Sequence, residues 1–342
     1  MTGNAFAYWD DEDNPAPDGR GDAWFLPEDE TPSAATSPLP VARRDTLFPF
    51  AEWRAAEGAL APDLAALCLD FGRLEERLRA MGPGARHRLA LQEVSGLGWW
   101  TGSRLTVDRL ALWMALQIGA VGDDVQALAA GAWAVRRLTI AAAPVGAPPA
   151  DALTQVLGQA GADSPRIADA ADMLADLAPL HGMVKGAVLF HLWRLSDPGP
   201  ARDLEAAVLG ARMAGAVGGT AAFLPLSLAG PGALTVQGSA ERRLAGWLAG
   251  AHQAVLAALL HLDRLAAWQL RATQATTDLS GRTPPRLLRL LTDWPSLSAP
   301  LAEAESGASR AAVQRNLDLF AARGLIREVT GQGRYRVWTA RL

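Results

Sequence analysis

Residues 306–338 read SGASRAAVQRNLDLFAARGLIREVTGQGRYRVW, and the reading of this stretch decides the fold. Val313, Leu317 and Phe320 recur at intervals of four and three, the spacing of one helical face, and Ser309 stands where a side-chain oxygen would satisfy a free amide of the first turn. Gly324 follows where the periodicity stops, a residue suited to the positive φ of a helix end. LIREV and RYRVW then alternate apolar and polar residues on either side of Gly331-Gln332-Gly333, the pattern of two strands joined by a tight turn. The period changes from helical to extended within a few residues, so the segment is a helix followed by a hairpin.

Working upstream, Ser298 caps a helix running through Glu305, Gly307 supplies a tight turn, and Leu287, Leu288, Leu290 and Leu291 make a first short helix closed at Trp294-Pro295. Three helices and a hairpin in this order describe a winged helix-turn-helix. The expected fold class is therefore mostly α, a multi-helix body followed by a C-terminal winged helix-turn-helix with a small β-hairpin wing. A helix of this kind fits the major groove, where Gln314 and Arg315, facing away from the apolar stripe, would reach base edges. Ser309 and Arg310, with the free amides of the first turn, would hold a phosphate. Arg327, Arg334 and Arg336 on the wing would neutralise backbone phosphates or enter the minor groove. The expected partner is double-stranded DNA, although Asp318 on the same face opposes close contact at that turn. A module used for protein contact alone is the alternative.

The charge distribution agrees with this placement. The whole chain of 342 residues carries −4, but residues 1–42 hold nine acids against Arg20, giving −8, while residues 282–342 hold ten arginines against five acids, giving +5. By subtraction the middle carries −1. Residues 1–46 are rich in Pro, Asp and Glu, a composition that buries too little surface to offset chain entropy, so they are expected to form a disordered acidic tail. The single cysteine, Cys68, has no internal partner, and the first residues carry no basic start followed by an apolar run, so a cytoplasmic location is expected.

Residues 47–280 are helical in pattern almost throughout, with breaks at Pro and Gly clusters and a possible division at AAAPVGAPPAD, residues 141–151. The longest helix is expected from Glu241 to about Thr273; it is apolar, but His252, His261, Asp263 and Arg264 interrupt it, so a buried helix is expected rather than a membrane span. No catalytic motif emerges from this body. The histidines His87, His181, His191, His252 and His261 lack the i, i+4 spacing with a glutamate that builds a helical zinc site. The glycines of residues 215–219 lack both a preceding strand and the lysine of a phosphate loop, and Ser227 lacks a nucleophile elbow. Cys68 lies on an apolar face with Leu64, Leu67 and Leu74, and the twelve tryptophans at helical spacing are expected in the core. Neither metal nor cofactor is expected, nor an enzymatic activity.

Taken together, the C-terminal pattern SxxAxxRxLxxxxxxGLxREVTGxGRYRxW and the upstream AEWRAAEGAL, HRLALQEVSGLGWWTGSRL, DLEAAVLGARMAG and FLPLSLAGPGAL resemble a family of alphaproteobacterial, often plasmid-borne proteins. Its members pair a helical domain of unknown function with a C-terminal helix-turn-helix DNA-binding domain, and the resemblance covers nearly everything after Thr46. It implies DNA binding by analogy. In architecture the chain is also similar to Fic-type nucleotidyl-transferring proteins, but the His, Pro, Phe and GNGR elements of their active loop are missing. HLWRLSDPGPARD, residues 191–203, holds a comparable place without the phosphate-cradling glycines, so that resemblance implies at most a catalytically empty relative. The sequence thus points to a DNA-binding regulator or plasmid-associated factor, expected to act as a homodimer, with room on the helical domain for a small-molecule or protein effector.

Overall fold

The computed structural model describes residues 49–116, 124–141, 147–158, 165–195, 199–218, 223–330 and 336–342. The expected acidic tail, residues 142–146 of the division expected at 141–151 and the hairpin turn with Arg334 lie outside the described residues. The protein is mostly helical, with 13 α-helices among the described residues and a small three-stranded antiparallel sheet near the C-terminal end. Residues 49–342 form one compact unit.

Proline and glycine set the first boundaries. Helix α1 (Phe50–Ala59) and α2 (Ala61–Met81) are separated by Leu60 alone, because Pro62 in the first turn of α2 has no amide to continue the preceding helix. Gly82, at φ 88°, turns the chain into α3 (Pro83–Thr101), which closes at Gly102 in the left-handed region. The remaining body helices are α4 (Val107–Leu116), α5 (Asp124–Thr139), α6 (Pro149–Leu157), α7 (Pro165–Asp176), α8 (Gly182–Leu195) and α9 (Pro200–Gly215). Where α8 crosses α9, a Cβ on Gly186 would stand 2.7 Å from the Gly210 carbonyl and one on Gly210 would stand 2.9 Å from the Gly186 carbonyl. Only hydrogen at both positions permits that backbone approach.

Helix α3 is buried almost all round, as a central core helix must be, yet Arg88 and Glu93 are among its buried residues. Each satisfies backbone groups of a distant segment. Glu93 accepts from the amides of Leu226 (2.8 Å) and Ser227 (3.0 Å), and the Ser227 hydroxyl donates back to the Glu93 carbonyl at 2.8 Å. The segment 223–234, which forms neither helix nor strand, therefore runs through the interior, with Phe223, Leu224 and Leu226 buried, because a carboxylate is on hand for its amides. At the other end, Arg88 donates through Nη1 to the carbonyls of Leu291 (3.1 Å) and Trp294 (2.8 Å).

Helix α10 (Ala240–Gln274) is about 52 Å long at 1.5 Å per residue. Ser239 caps it, accepting from the Arg242 amide at 3.3 Å. Among the described residues it is the one helix long and apolar enough to cross a membrane by length and composition. In this fold its buried stripe from Leu244 to Ala258 packs in the body, while Leu265, Trp268 and Ala272 lie in a second core. Asp263 pairs with Arg77 at 2.7 Å, and His252 lies 2.8 Å from Asp70, so two of the polar interruptions tie α10 to α2.

That second core belongs to the C-terminal elements: α11 (Thr283–Asp293), β1 (Leu297–Ser298), α12 (Ala299–Ser306), α13 (Arg310–Ala322), β2 (Ile326–Glu328) and β3 (Val337–Ala340). Leu287, Leu291, Leu301, Val313, Leu317, Phe320, Ile326 and Trp338 close over the end of α10. The strand order is β1-β3-β2, with Leu297 opposite Trp338 and Arg327 opposite Thr339. The Trp268 indole donates to the Leu325 carbonyl at 2.7 Å, fixing the start of β2 on α10.

Burial pushes the Glu93 carboxyl up to about 7, against the pull of the Leu226 and Ser227 amides. A folded value raised above the unfolded one means that folding takes up a proton. The associated stability is full below the ordinary carboxylate value and is lost as pH rises through about 7. Urea unfolding of the wild type and Glu93→Gln between pH 5 and 8 is therefore expected to show the wild type losing about 2–3 kcal/mol relative to the variant as pH rises. A constant difference would place the ionisation of Glu93 elsewhere.

Candidate nucleic-acid interface

The sequence-predicted residues gather on and around α13. Ser298 caps α12 by accepting from the Leu301 amide at 3.3 Å, and Gly307 ends that helix at φ 63°. Ser309 then accepts from the Ala312 amide at 3.4 Å, so α13 begins at Arg310. Val313, Leu317 and Phe320 are fully buried, the stripe that the spacing predicts, and Gly324 stands at φ 70° beyond the helix. This packing turns Ala311, Arg315 and Asp318 to solvent and leaves Gln314 half-buried.

The charged groups of this face are unequally committed. Arg315 is exposed and makes no ion pair among the described residues. The Arg310 side chain is 81% exposed, with a Glu303 carboxylate oxygen at 3.8 Å, a distance worth little in water. Gln314 donates to Asp318 at 3.0 Å, one helical turn on. Arg336 donates through Nε to Glu328 (2.7 Å) and through Nη1 to Asp318 (3.2 Å), and its guanidinium lies 5.0 Å from the Trp338 ring centroid. The hydrogen bond to Glu328 raises its pKa further above the usual arginine value. Of the two described arginines expected on a wing, Arg336 is therefore held against α13 by carboxylates. Arg327 is exposed on β2 but lines a cleft with Arg88, Gln92, Asp108 and His261, on the side of the helical body.

Ser309, Arg310, Gln314 and Arg315 thus share one helix and its cap, Arg336 reaches that helix through Asp318, and Arg327 faces the body. The sequence reading missed the ionic tie from Glu328 through Arg336 to Asp318. The Gln314–Asp318 part was accessible from i, i+4 spacing, but Arg336 joins it only through the pairing of β2 with β3. Arg323, which had no assigned role, forms a two-pronged pair with Asp278 at 2.7 Å and so anchors the end of α13 to the segment leaving α10. Among the described residues no cluster of three His, Cys, Asp or Glu side chains could hold a metal ion. Cys68 is half-buried beside Met183 and His181, and burial raises its thiol pKa. Neither protein-family models nor curated proteins give a match to this chain.

The same stripe seats α13 in the second core. Leu317→Ala removes a fully buried side chain from the core shared with α10 and is expected to cost about 2–5 kcal/mol. Because Leu265, Trp268 and Ala272 continue the helix of the body into that core, urea unfolding of the full chain should remain a single transition shifted to lower midpoint. A separate early transition of the C-terminal residues would show that the two cores unfold independently.

Proposed function

We propose that residues 282–342 are a winged helix-turn-helix that binds double-stranded DNA, with α13 as the reading helix, and that the chain is a DNA-binding regulator or plasmid-associated factor. The observation that carries this reading is the orientation of α13: three buried apolar residues fix one side, Ser309 caps the helix, and Arg310 and Arg315 are exposed on its start and outer side. The order helix, strand, helix, helix, strand, strand, with β1-β3-β2 pairing, supports it. A long exposed guanidinium on a helix narrow enough for the major groove suits bidentate contact with guanine, and the capped amino end with Arg310 suits a phosphate. The local charge of +5 over residues 282–342 favours a polyanion despite the chain's overall −4. A dimer in the cytoplasm belongs to the same proposal, since paired half-sites multiply the modest affinity of one module.

The carboxylates of Asp318 and Glu328 temper that face, and they favour a second reading in which the module docks on protein. The two separate experimentally. Fluorescence anisotropy of the full chain on duplex DNA is expected to show affinity falling steeply between 50 and 200 mM salt, as counterion release from phosphate requires (about a tenfold loss or more). On a selected site, Arg315→Ala is expected to weaken binding by about 10- to 100-fold and to lower discrimination between sites, with circular dichroism unchanged. Retention of both affinity and sequence preference in a folded Arg315→Ala protein would leave the protein-docking reading as the better one.

A further inference from the structure

We propose that the cleft between the C-terminal sheet and the helical body binds a small molecule bearing an oxyanion, a carboxylate or a phosphate. The cleft has a volume of ≈ 1070 Å³, the size of a metabolite site rather than of a lone ion. Its walls come from α3, α4 and α10 on one side and from β2, β3 and the approach to β1 on the other.

Two polar side chains in this wall are more than nine-tenths buried and incompletely partnered. Arg88 is 2% exposed. Its Nε donates to His261 at 3.2 Å and its Nη1 to the Leu291 and Trp294 carbonyls, while its Nη2 makes no hydrogen bond among the described residues. Ser296 is 8% exposed, and its hydroxyl likewise makes none among the described residues. Neither atom is among the fully buried side-chain atoms without a partner, so both donors of these otherwise buried side chains open on the cleft, where an acceptor from outside the fold can reach them. Burial lowers the Arg88 guanidinium to about 10, so it stays charged at neutral pH. His261 is pushed down to about 4 by burial and by Arg88 and Arg264, so its neutral ring accepts from Arg88 and does not compete for an anion.

Charge adds direction. Arg327 and Arg341, both exposed, join Arg88 in the lining. They face two acids, Asp108 and Glu328, of which Glu328 is already committed to Arg336 at 2.7 Å. A fixed guanidinium with one free nitrogen, flanked by two more guanidinium groups and a hydroxyl, is suited to an oxyanion. The location gives the ligand a route to α13, since Glu328 in the wall holds Arg336 and Arg336 holds Asp318. Any effect on DNA rests on the function proposed above, whereas binding itself does not.

The test is made on the full chain without DNA. Thermal unfolding is followed as inorganic phosphate, and separately succinate, replaces chloride at constant ionic strength. The expected result is a saturable rise in unfolding temperature with at least one of the two anions, and the one that saturates at lower concentration identifies the headgroup. Calorimetric titration of that anion should show the double variant Arg327→Ala/Arg341→Ala, whose substitutions lie at exposed positions, binding about tenfold or more weakly. Ser296→Ala should weaken it in the same direction, and Arg310→Ala should leave it unchanged. No saturable rise with either anion would overturn the proposal. So would undiminished binding in the cleft variants, or loss in Arg310→Ala, which would put the anion at the start of α13.

Discussion

The fold depends on one central helix supplying charge to its neighbours' backbones. In α3 the Arg88 guanidinium meets carbonyls at the end of α11, more than two hundred residues away, and the Glu93 carboxylate meets amides of a buried loop more than a hundred and thirty residues away. The end of a helix leaves carbonyls without partners, and a buried loop leaves amides without partners; each costs free energy unless answered. A cation answers the first and an anion the second. Five residues apart on one helix, they hold the C-terminal elements and the 223–239 segment in place on a single support. Arg212 of α9 works alike at the end of α5, where its Nη2 donates to the Ala141 carbonyl at 3.2 Å.

The apolar packing is arranged to make those contacts possible. Glycines at the crossing of α8 and α9 let two backbones touch, which brings the body close around α3. Helix α10 then runs from the body core at Leu244 into the second core, where it ends beneath Leu287, Val313, Leu317 and Phe320. The elements proposed to meet DNA are thereby seated on the body's longest helix, with Trp268 bonded to the strand that leads into the hairpin.

Electrostatics divides the C-terminal arginines by neighbour rather than by type. Arg315 and Arg310 project into solvent, Arg336 lies between two carboxylates and an indole, Arg323 clamps Asp278, and Arg327 turns toward the body. A count of ten arginines in residues 282–342 overstates the charge offered to a polyanion, because paired cations have already exchanged their counterions for carboxylates.

The amino-acid sequence by itself determined the helices and their limits, because those signals are local. The recurrence of apolar residues at intervals of four and three in α13, the serines that cap α10, α12 and α13, the proline opening α2 and the glycines at 82, 102, 307 and 324 act within a turn or two of the chain. The two-residue strand β1 was not legible, since it exists only through its pairing with β3. The direction of Arg327 and the partners of Arg336 were equally hidden, because strand register decides them. Nor could the chain announce that Arg88 and Glu93 lie inside: isolated charges on a helix are expected to face water. Only the tertiary structure brought carbonyls to one and amides to the other, from segments whose distance along the chain carries no local signal.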